Sequence, residues 1–533
     1  MANVDVIHPG SGASPLTGHR ANPFFNMLAG VVVVAGVVYA GYHLMDDLSV
    51  VRYTRAYPFI LLGIALFVAL GFEFVNGFHD TANAVATVIY THSLPPNFAV
   101  VWSGTFNFLG VLASSGAVAF GIVSLLPVEL ILQVGSGAGF AMVFALLIAA
   151  ILWNLGTWYF GLPASSSHTL IGSIMGVGLM NQLMAGSSNG TSGVDWSQAT
   201  KIGESLLFSP LIGFSVAALL ILIAKALIPV PALFQEPKDN RPPPLLIRAL
   251  LVLTCTGVSF AHGSNDGQKG MGLIMLILIG TVPTAYALNR TMHEEEIAKF
   301  VAVSAQAQIA LGHYGEGAAP ADPHAAAIEI VRTRSISPQT IPALAALSES
   351  IAQQVNFFGS LAKVPAGQMV NIRNNMYLES EGLRFLSKSK TIAVSEADRQ
   401  TLAEYKKQLD NSTKFIPNWV KVAVAIALGL GTMIGWKRIV VTVGERIGKT
   451  HLTYAQGASA ELVAMATIGA ADMYGLPVST THVLSSGVAG TMVANRSGLQ
   501  WATVRNLLMA WVLTLPVSIV LAGGLYWLLR ALQ

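Results

Sequence analysis

The sequence predicts an all-α polytopic membrane protein: two inverted repeats with broken helices and re-entrant Ser/Thr hairpins, plus an inserted extramembrane helical domain. Three observations predict it. Hydrophobic residues make up 53% of the 533-residue chain and charged residues only 11%, with a mean hydropathy of +0.59; ordinary soluble domains carry about 25% charged residues. Two kinds of polar motif each occur twice, once in either half of the chain. Positive charges then fall unequally on loops that the motifs make equivalent, which puts those loops on opposite sides of a bilayer.

In chain order, the first 20 residues are polar with little positive charge and do not read as a cleavable leader. The run from Phe24 to Met45 is long enough to cross the roughly 30 Å hydrocarbon layer, so residues 1–56 read as a tail and an extra membrane helix. Further apolar runs lie near 57–91, 98–126, 137–160, 205–229, 245–288, 416–436, 457–474 and 505–528. Two Ser/Thr/Gly-rich pieces, 163–185 and 477–494, read as re-entrant or broken helices. The first repeat is assigned to 57–230, the linker and start of the second to 231–289, and its remainder to 416–533. Between them, 290–415 holds 26 of the 57 charged residues and reads as an extramembrane domain. "LESEGLRFLSKSK" and "SEADRQTLAEYKKQLD" predict helices within it, and "GEGAAPADPH" a loop. The single cysteine, Cys255, excludes an intramolecular disulfide and a multi-cysteine metal site.

The repeat itself is explicit. "NGFHDTAN" at 76–83 and "HGSNDGQK" at 262–269 pair Gly77 with Gly263, Asp80 with Asp266 and Asn83 with Lys269. "GLPASSSHTLIG" at 161–172 matches "GLPVSTTHVLSS" at 475–486, with Ser165/Ser479 and His168/His482 identical. After the span at 416–436 come Lys437, Arg438, Arg446 and Lys449, whereas the equivalent stretch of the first half, 121–138, has only Glu129. The tendency for cationic loops to be cytoplasmic therefore inverts one half against the other. Lys238, Arg241 and Arg248, and later Arg496 and Arg505, suit the cytoplasmic side too, which leaves the 290–415 domain outside.

On a helix, Glu73, Asn76, Asp80, Asn83 and Thr87 fall on one face, and Ser259, His262, Asp266 and Lys269 repeat that face. An ionisable group in hydrocarbon costs roughly 2.5 to 3.5 kcal/mol even on insertion scales. A polar network that merely held helices together would use neutral amides more cheaply, so two aspartates at matching depth point to a site. "PASSSH" and "PVSTTH" place three hydroxyls in a row after a proline; a turn opening a helix converges hydroxyls and free backbone N–H groups on an oxyanion. His168 and His482 read as hydrogen-bonded structural groups, proton carriers or direct ligands. Three classes stay open on the residues alone: a symporter of phosphate, sulfate or another tetrahedral oxyanion; a divalent-metal transporter using His79, Asp80, His262 and Asp266; and an intramembrane metalloenzyme, disfavoured because no His-Glu-x-x-His pattern is present.

Taken together, "NGFHDTAN", "HGSNDGQK", "LPASSSHT", "LPVSTTHV" and "TYAQGASAE" at 453–461 resemble the inorganic phosphate transporter (PiT) family, and within it the bacterial low-affinity Pit branch. The resemblance implies phosphate uptake across the cell inner membrane driven by protons or sodium, divalent metal-phosphate as a substrate form, a homodimer, and no resident cofactor, metal centre, enzymatic activity or nucleic-acid partner. Carried over residue by residue, it assigns phosphate contacts to Asp80, Asn83, Ser165, Ser166, Ser167, Asp266, Ser479, Thr480 and Thr481. Coupling ions or protons fall near Asp80, Asp266, Asn76, Asn265, Lys269, His168 and His482. The chain departs from the family pattern at His79, at Gln268-Lys269 and in its inserted domain. Lys269 stands where a relative could hold sodium with an amide oxygen, so protons are expected rather than sodium. Electrostatics gives the reason for coupling: each like-charged pair at 4 Å costs on the order of 4 kcal/mol at an effective dielectric of about 20, so phosphate binds beside carboxylates only if a cation or proton arrives with it.

Overall fold

The computed structural model describes residues 23–49, 57–80, 82–185, 193–237 and 242–533, with the backbone alone at 23–26, 57–58, 80 and 82–83. The described residues are α-helical, with one isolated bridge between Gly448 and Leu499. Among the described residues, six helical stretches are long and apolar enough to cross a membrane: Met27–Leu48, Phe59–Tyr90, Gly137–Tyr159, Trp196–Leu227, Leu245–Thr281 and Trp501–Ala531. Pro96–Ala113 with Ala117–Val123, and Glu396–Thr413 with Asn418–Met433, form pairs bent by 75° and 76°. Ser166–Ala185 and Thr480–Ala494, both too polar or short to count as spans, are the helices predicted from the Pro-Ser/Thr-His motifs.

The two halves pack reciprocally. Ser166–Ala185 lies along Trp501–Ala531, and its counterpart Thr480–Ala494 lies along Trp196–Leu227. Leu245–Thr281 packs on Pro96–Ala113, and Tyr57–Asp80 on Asn418–Met433, the equivalent helix of the other half. Glycine makes these crossings close: a Cβ on Gly77 would lie 2.2 Å from the Leu428 carbonyl oxygen, and one on Gly263 2.1 Å from that of Asn107. Backbone-to-backbone approach of this kind is how membrane helices gain packing energy without a hydrophobic drive.

One expectation is corrected. The second motif helix was expected to be broken like the first, yet Leu245–Thr281 runs through "HGSNDGQK" as one 37-residue helix. Its glycines serve close packing against neighbouring helices, as at Gly263, instead of ending the helix. In the first copy the motif at 76–83 includes Thr81, which lies outside the described residues.

Residues 294–413 form five helices that pack on one another: Glu294–Gly312, Pro323–Thr333, Ile341–Phe358, Ala366–Lys388 and Glu396–Thr413. Both helices expected from the sequence lie here, and 315–322 is loop. Asp322 and Ser395 start two of these helices by accepting the amides of Ala325 and Asp398. The bundle is fastened to the membrane part by Arg384, whose Nη2 reaches Asp195 at 2.8 Å, and by Arg334, which donates to the Gly193 carbonyl. Burial would raise the Asp195 carboxyl, but Arg384, with hydrogen bonds from the Gln198 amide and Ser197, more than offsets it and holds it below its ordinary range. The extra helix Pro23–Leu48 packs on Asn418–Met433, and its Asp47 accepts from Tyr286 and Trp419.

Candidate functional site

The motif helices and the two Ser/Thr turns meet in the interior. Each turn begins at a left-handed glycine, Gly161 (φ 66) or Gly475 (φ 63), and continues through Leu-Pro into the serine that starts the helix. Ser165 Oγ accepts the His168 amide at 3.2 Å and Ser479 Oγ the His482 amide at 3.1 Å. The first hydroxyl of each trio is thus an N-cap, which leaves the following hydroxyls at the positive end of a helix dipole. Ser166 Oγ donates to Asn76 Oδ1 at 2.6 Å, tying the first turn to the first motif helix. Ser167 Oγ donates to the Val478 carbonyl at 2.7 Å, tying the two turns to each other. Thr480 Oγ1 is buried with no hydrogen-bond partner, and Thr481 is fully buried.

Lys269 and Asp266, both wholly buried, occupy the centre of this arrangement. Lys269 Nζ sits 2.7 Å from Asp266 Oδ1 and donates to Ser167 Oγ. His262 Nε2 lies 3.4 Å from Asp266 Oδ2, and its Nδ1 lies 2.9 Å from Asn107 Oδ1. Glu73, fully buried, faces Asn76, Asp266, Lys269 and Gly270. Asn265 donates to the Leu476 carbonyl at 3.0 Å and receives the Val478 amide at 3.5 Å, so it holds the second turn. The side chains of Asp80 and Asn83 lie outside the described residues.

A single ammonium therefore stands among two described carboxylates and several hydroxyls. A buried charge persists only when paired and hydrogen-bonded: Lys269 meets both conditions through Asp266 and Ser167, whereas Asp266 is paired but neither of its oxygens is hydrogen-bonded. Such a cluster accepts an anion by exchange: the ammonium swings from carboxylate to anion, and the abandoned carboxylate then needs a proton or another cation.

The two histidines face each other, with ring centroids 4.6 Å apart, and His482 stacks on Trp511 at 4.1 Å. They border a cavity of about 820 Å³ between Trp196–Leu227 and Trp501–Ala531, walled mainly by apolar side chains with Ser485 and Ser486 at its edge.

Sequence reasoning missed Asp472, Gln268 and Glu461 as organisers. Asp472 accepts from Ser264 at 2.6 Å and from Gln268 Nε2 at 2.7 Å, and Gln268 Oε1 receives the Val118 amide at 2.9 Å. Gln268, noted only as a departure, thus docks the short helix Ala117–Val123. Glu461 is fully buried and accepts from Thr87 and Thr254. An acid inside an apolar run was the available signal for Glu461, whereas Asp472 sits at a helix end, where an acid is unremarked.

Residues 76–522 match the family described as "Phosphate transporter family" (PHO4). The low-affinity inorganic phosphate transporter PitA of Escherichia coli (strain K12) is 45% identical over 488 residues, covering 88% of this chain and 96% of that protein. PitB of the same organism is 42% identical over 490 residues, covering 89% of this chain and 97% of its own. A solved structure titled "The sodium-dependent phosphate transporter" aligns at 19% identity and a TM-score of 0.47, over 89% of this chain and 100% of that one.

Proposed function

Because the chain belongs to the phosphate transporter family, we propose that it carries inorganic phosphate inward across the cell inner membrane as a proton-coupled symporter. Membership makes it a multi-pass membrane phosphate transporter, and its relatives are named as transporters, not enzymes. Coupling, site and architecture are the proposal. The observation that carries it is Lys269, wholly buried, paired to Asp266 and donating to Ser167.

A fixed ammonium beside Asp266 competes with sodium for the same carboxylate, which supports protons as the coupling ion. On binding, phosphate takes the ammonium of Lys269 and the hydroxyls of Ser166, Ser167, Thr480 and Thr481. The carboxylates of Asp266 and, by motif equivalence, Asp80 are neutralised by protons that travel with the substrate. Divalent metal-phosphate is a second substrate form in the same scheme, because the metal lowers the anion's charge before it meets the carboxylates. Asn76 and Asn265 hold the turns and stand near the coupling ion, Asn83 contacts phosphate by motif equivalence with Lys269, Ser165 and Ser479 present the helix ends, and His168 and His482 relay protons. The reciprocal packing of the halves and the charges on 437–449 support inverted repeats rocking about this site. Domain limits at 57–230, 231–289, 290–415 and 416–533, and a homodimer, belong to the same reading.

The test is phosphate uptake into proteoliposomes with proton and sodium gradients imposed separately. Asp266→Asn should abolish concentrative uptake at matched protein levels, because it removes the charge at nearly constant volume. Wild-type rates in that variant, or uptake driven by sodium alone, would overturn the scheme.

A further inference from the structure

A second cation is buried without an acid. Arg373, on Ala366–Lys388 of the five-helix domain, is only 6% exposed, yet it makes no ion pair among the described residues. Its Nη1 donates to the Ile131 carbonyl at 3.3 Å and to Asn374 Oδ1 at 3.1 Å, and the guanidinium lies 5.3 Å from the Tyr377 ring centre. Its Nε is buried with no hydrogen-bond partner. Neighbouring cations, by contrast, are ion-paired: Arg384 with Asp195 and Glu381, Lys414 with Asp410. A desolvated guanidinium left unpaired is costly, and burial pulls its pKa down. Its fork of donors matches a tetrahedral oxyanion.

The surroundings suit such a guest. Arg373 lines a cavity of about 200 Å³ between the domain and the membrane part, together with Gln133, Gly135, Ser136 and Asn374. Ser136 caps Gly137–Tyr159 through the Gly139 amide, so the start of a 23-residue helix points at the same space. Arg373 also borders a small cavity of about 30 Å³ that reaches Gly272, one turn beyond Lys269 on Leu245–Thr281. Along that helix, Gly280 at the larger cavity is about 16.5 Å from Lys269, eleven residues at a rise of about 1.5 Å each.

We propose that Arg373, with the Ser136 helix start, forms a phosphate-group binding site at the junction of the inserted domain and the membrane part, separate from the site around Lys269. Its use as a staging post for substrate rests on the transport reading above; its capacity to bind does not. A phosphate group reaches it either as free orthophosphate or as the headgroup of a lipid.

Hydrogen exchange on the full-length protein in lipid nanodiscs tests this, with inorganic phosphate added or withheld. Phosphate should slow exchange in 128–137 and 366–376 in the wild type. That protection should vanish in Arg373→Gln, survive partly in Arg373→Lys, and persist in Asp266→Asn, whose lesion lies in the central site. Free phosphate as occupant further requires Arg373→Gln to raise the apparent KM for uptake roughly tenfold with kcat kept, the worth of one charge-assisted hydrogen bond. A lipid occupant would instead appear in native mass spectrometry as a phospholipid retained by the wild type and lost from Arg373→Gln. Neither phosphate protection nor a retained phospholipid in the wild type, or either one undiminished in Arg373→Gln, would overturn the site.

Discussion

An ammonium sealed inside a membrane protein is tolerable only if its neighbours replace the water it lost. Lys269 has Asp266 and the Ser167 hydroxyl for this purpose, and through Ser167 it is linked to the Val478 carbonyl, which ends the second turn. Removing the charge should therefore affect coupling as well as rate. Lys269→Asn is expected to lower uptake under a proton gradient by at least tenfold and to introduce sodium stimulation, since an amide oxygen beside Asp266 suits a sodium ion. Lys269→Arg should also transport poorly, because the guanidinium is bulkier and more rigid. Uptake at fixed membrane potential with sodium added or withheld separates these outcomes; a Lys269→Asn protein indistinguishable from wild type would remove the lysine from the mechanism. The hydroxyls divide in the same way. Ser479 caps a helix, whereas Thr480 Oγ1 is buried without a partner. Thr480→Ala should raise the apparent KM for phosphate about tenfold at normal expression, while Ser479→Ala should cost about 1 kcal/mol of stability as a lost cap. Equal KM values in Thr480→Ala and wild type would return that turn to a purely structural role.

At the scale of elements, the turns and the domain helices were legible because they carry local chemistry: Gly-Leu-Pro-x-Ser specifies a left-handed residue, a rigid step and a cap within five positions. The continuity of Leu245–Thr281 was not, because a glycine reads alike whether it ends a helix or admits another backbone, and only the partner 2.1 Å from a Gly263 Cβ decides. The pairing of Lys269 with Ser167, 102 positions away, was equally invisible, though both residues were marked as site candidates. The inserted domain hid its own internal acid. Glu379 is wholly buried with neither oxygen hydrogen-bonded, and burial pushes its pKa well above the ordinary carboxylate value; Tyr405 beside it is pushed up too, by burial first and then by Glu379. A folded-state pKa raised above the unfolded one gives stability that is full below the unfolded value of about 4.5 and is lost as pH rises through the folded value. The domain should thus melt at lower temperature as the medium turns alkaline, and Glu379→Gln should remove most of that dependence. Thermal melts of both proteins across neutral to alkaline pH check it, and parallel curves would show that Glu379 does not titrate on unfolding.

For the whole molecule, the question is which way each half faces. The helix pairs that touch are exchanged between the halves, and so are the glycine contacts of Gly77 with Leu428 and Gly263 with Asn107, a pattern that supports the proposed inverted repeats. The inserted domain lies on the side of 193–195 and Ile131, where Arg384, Arg334 and Arg373 contact the membrane part. The opposite end gathers Tyr90, Glu445, Arg248 and Ser93, whose side chains and backbone bond one another there. On the proposed inverted-repeat reading, the positive charge after Asn418–Met433 assigns that second end to the cytoplasm and the domain to the outside. Ser115 lies in the break that follows Pro96–Ala113 and Lys437 opens the short helix just after the break that follows the matching Asn418–Met433, and both are exposed. Inversion therefore makes a sharp prediction. Cysteine at Lys437 should be labelled by a membrane-impermeant thiol reagent only from the cytoplasmic face, and cysteine at Ser115 only from outside, with the buried Cys255 silent in both. Parallel repeats would expose both positions to one face, so labelling of the two from the same side would overturn the inverted-repeat reading, and labelling at Ser115 from the cytoplasm would move the domain to that side.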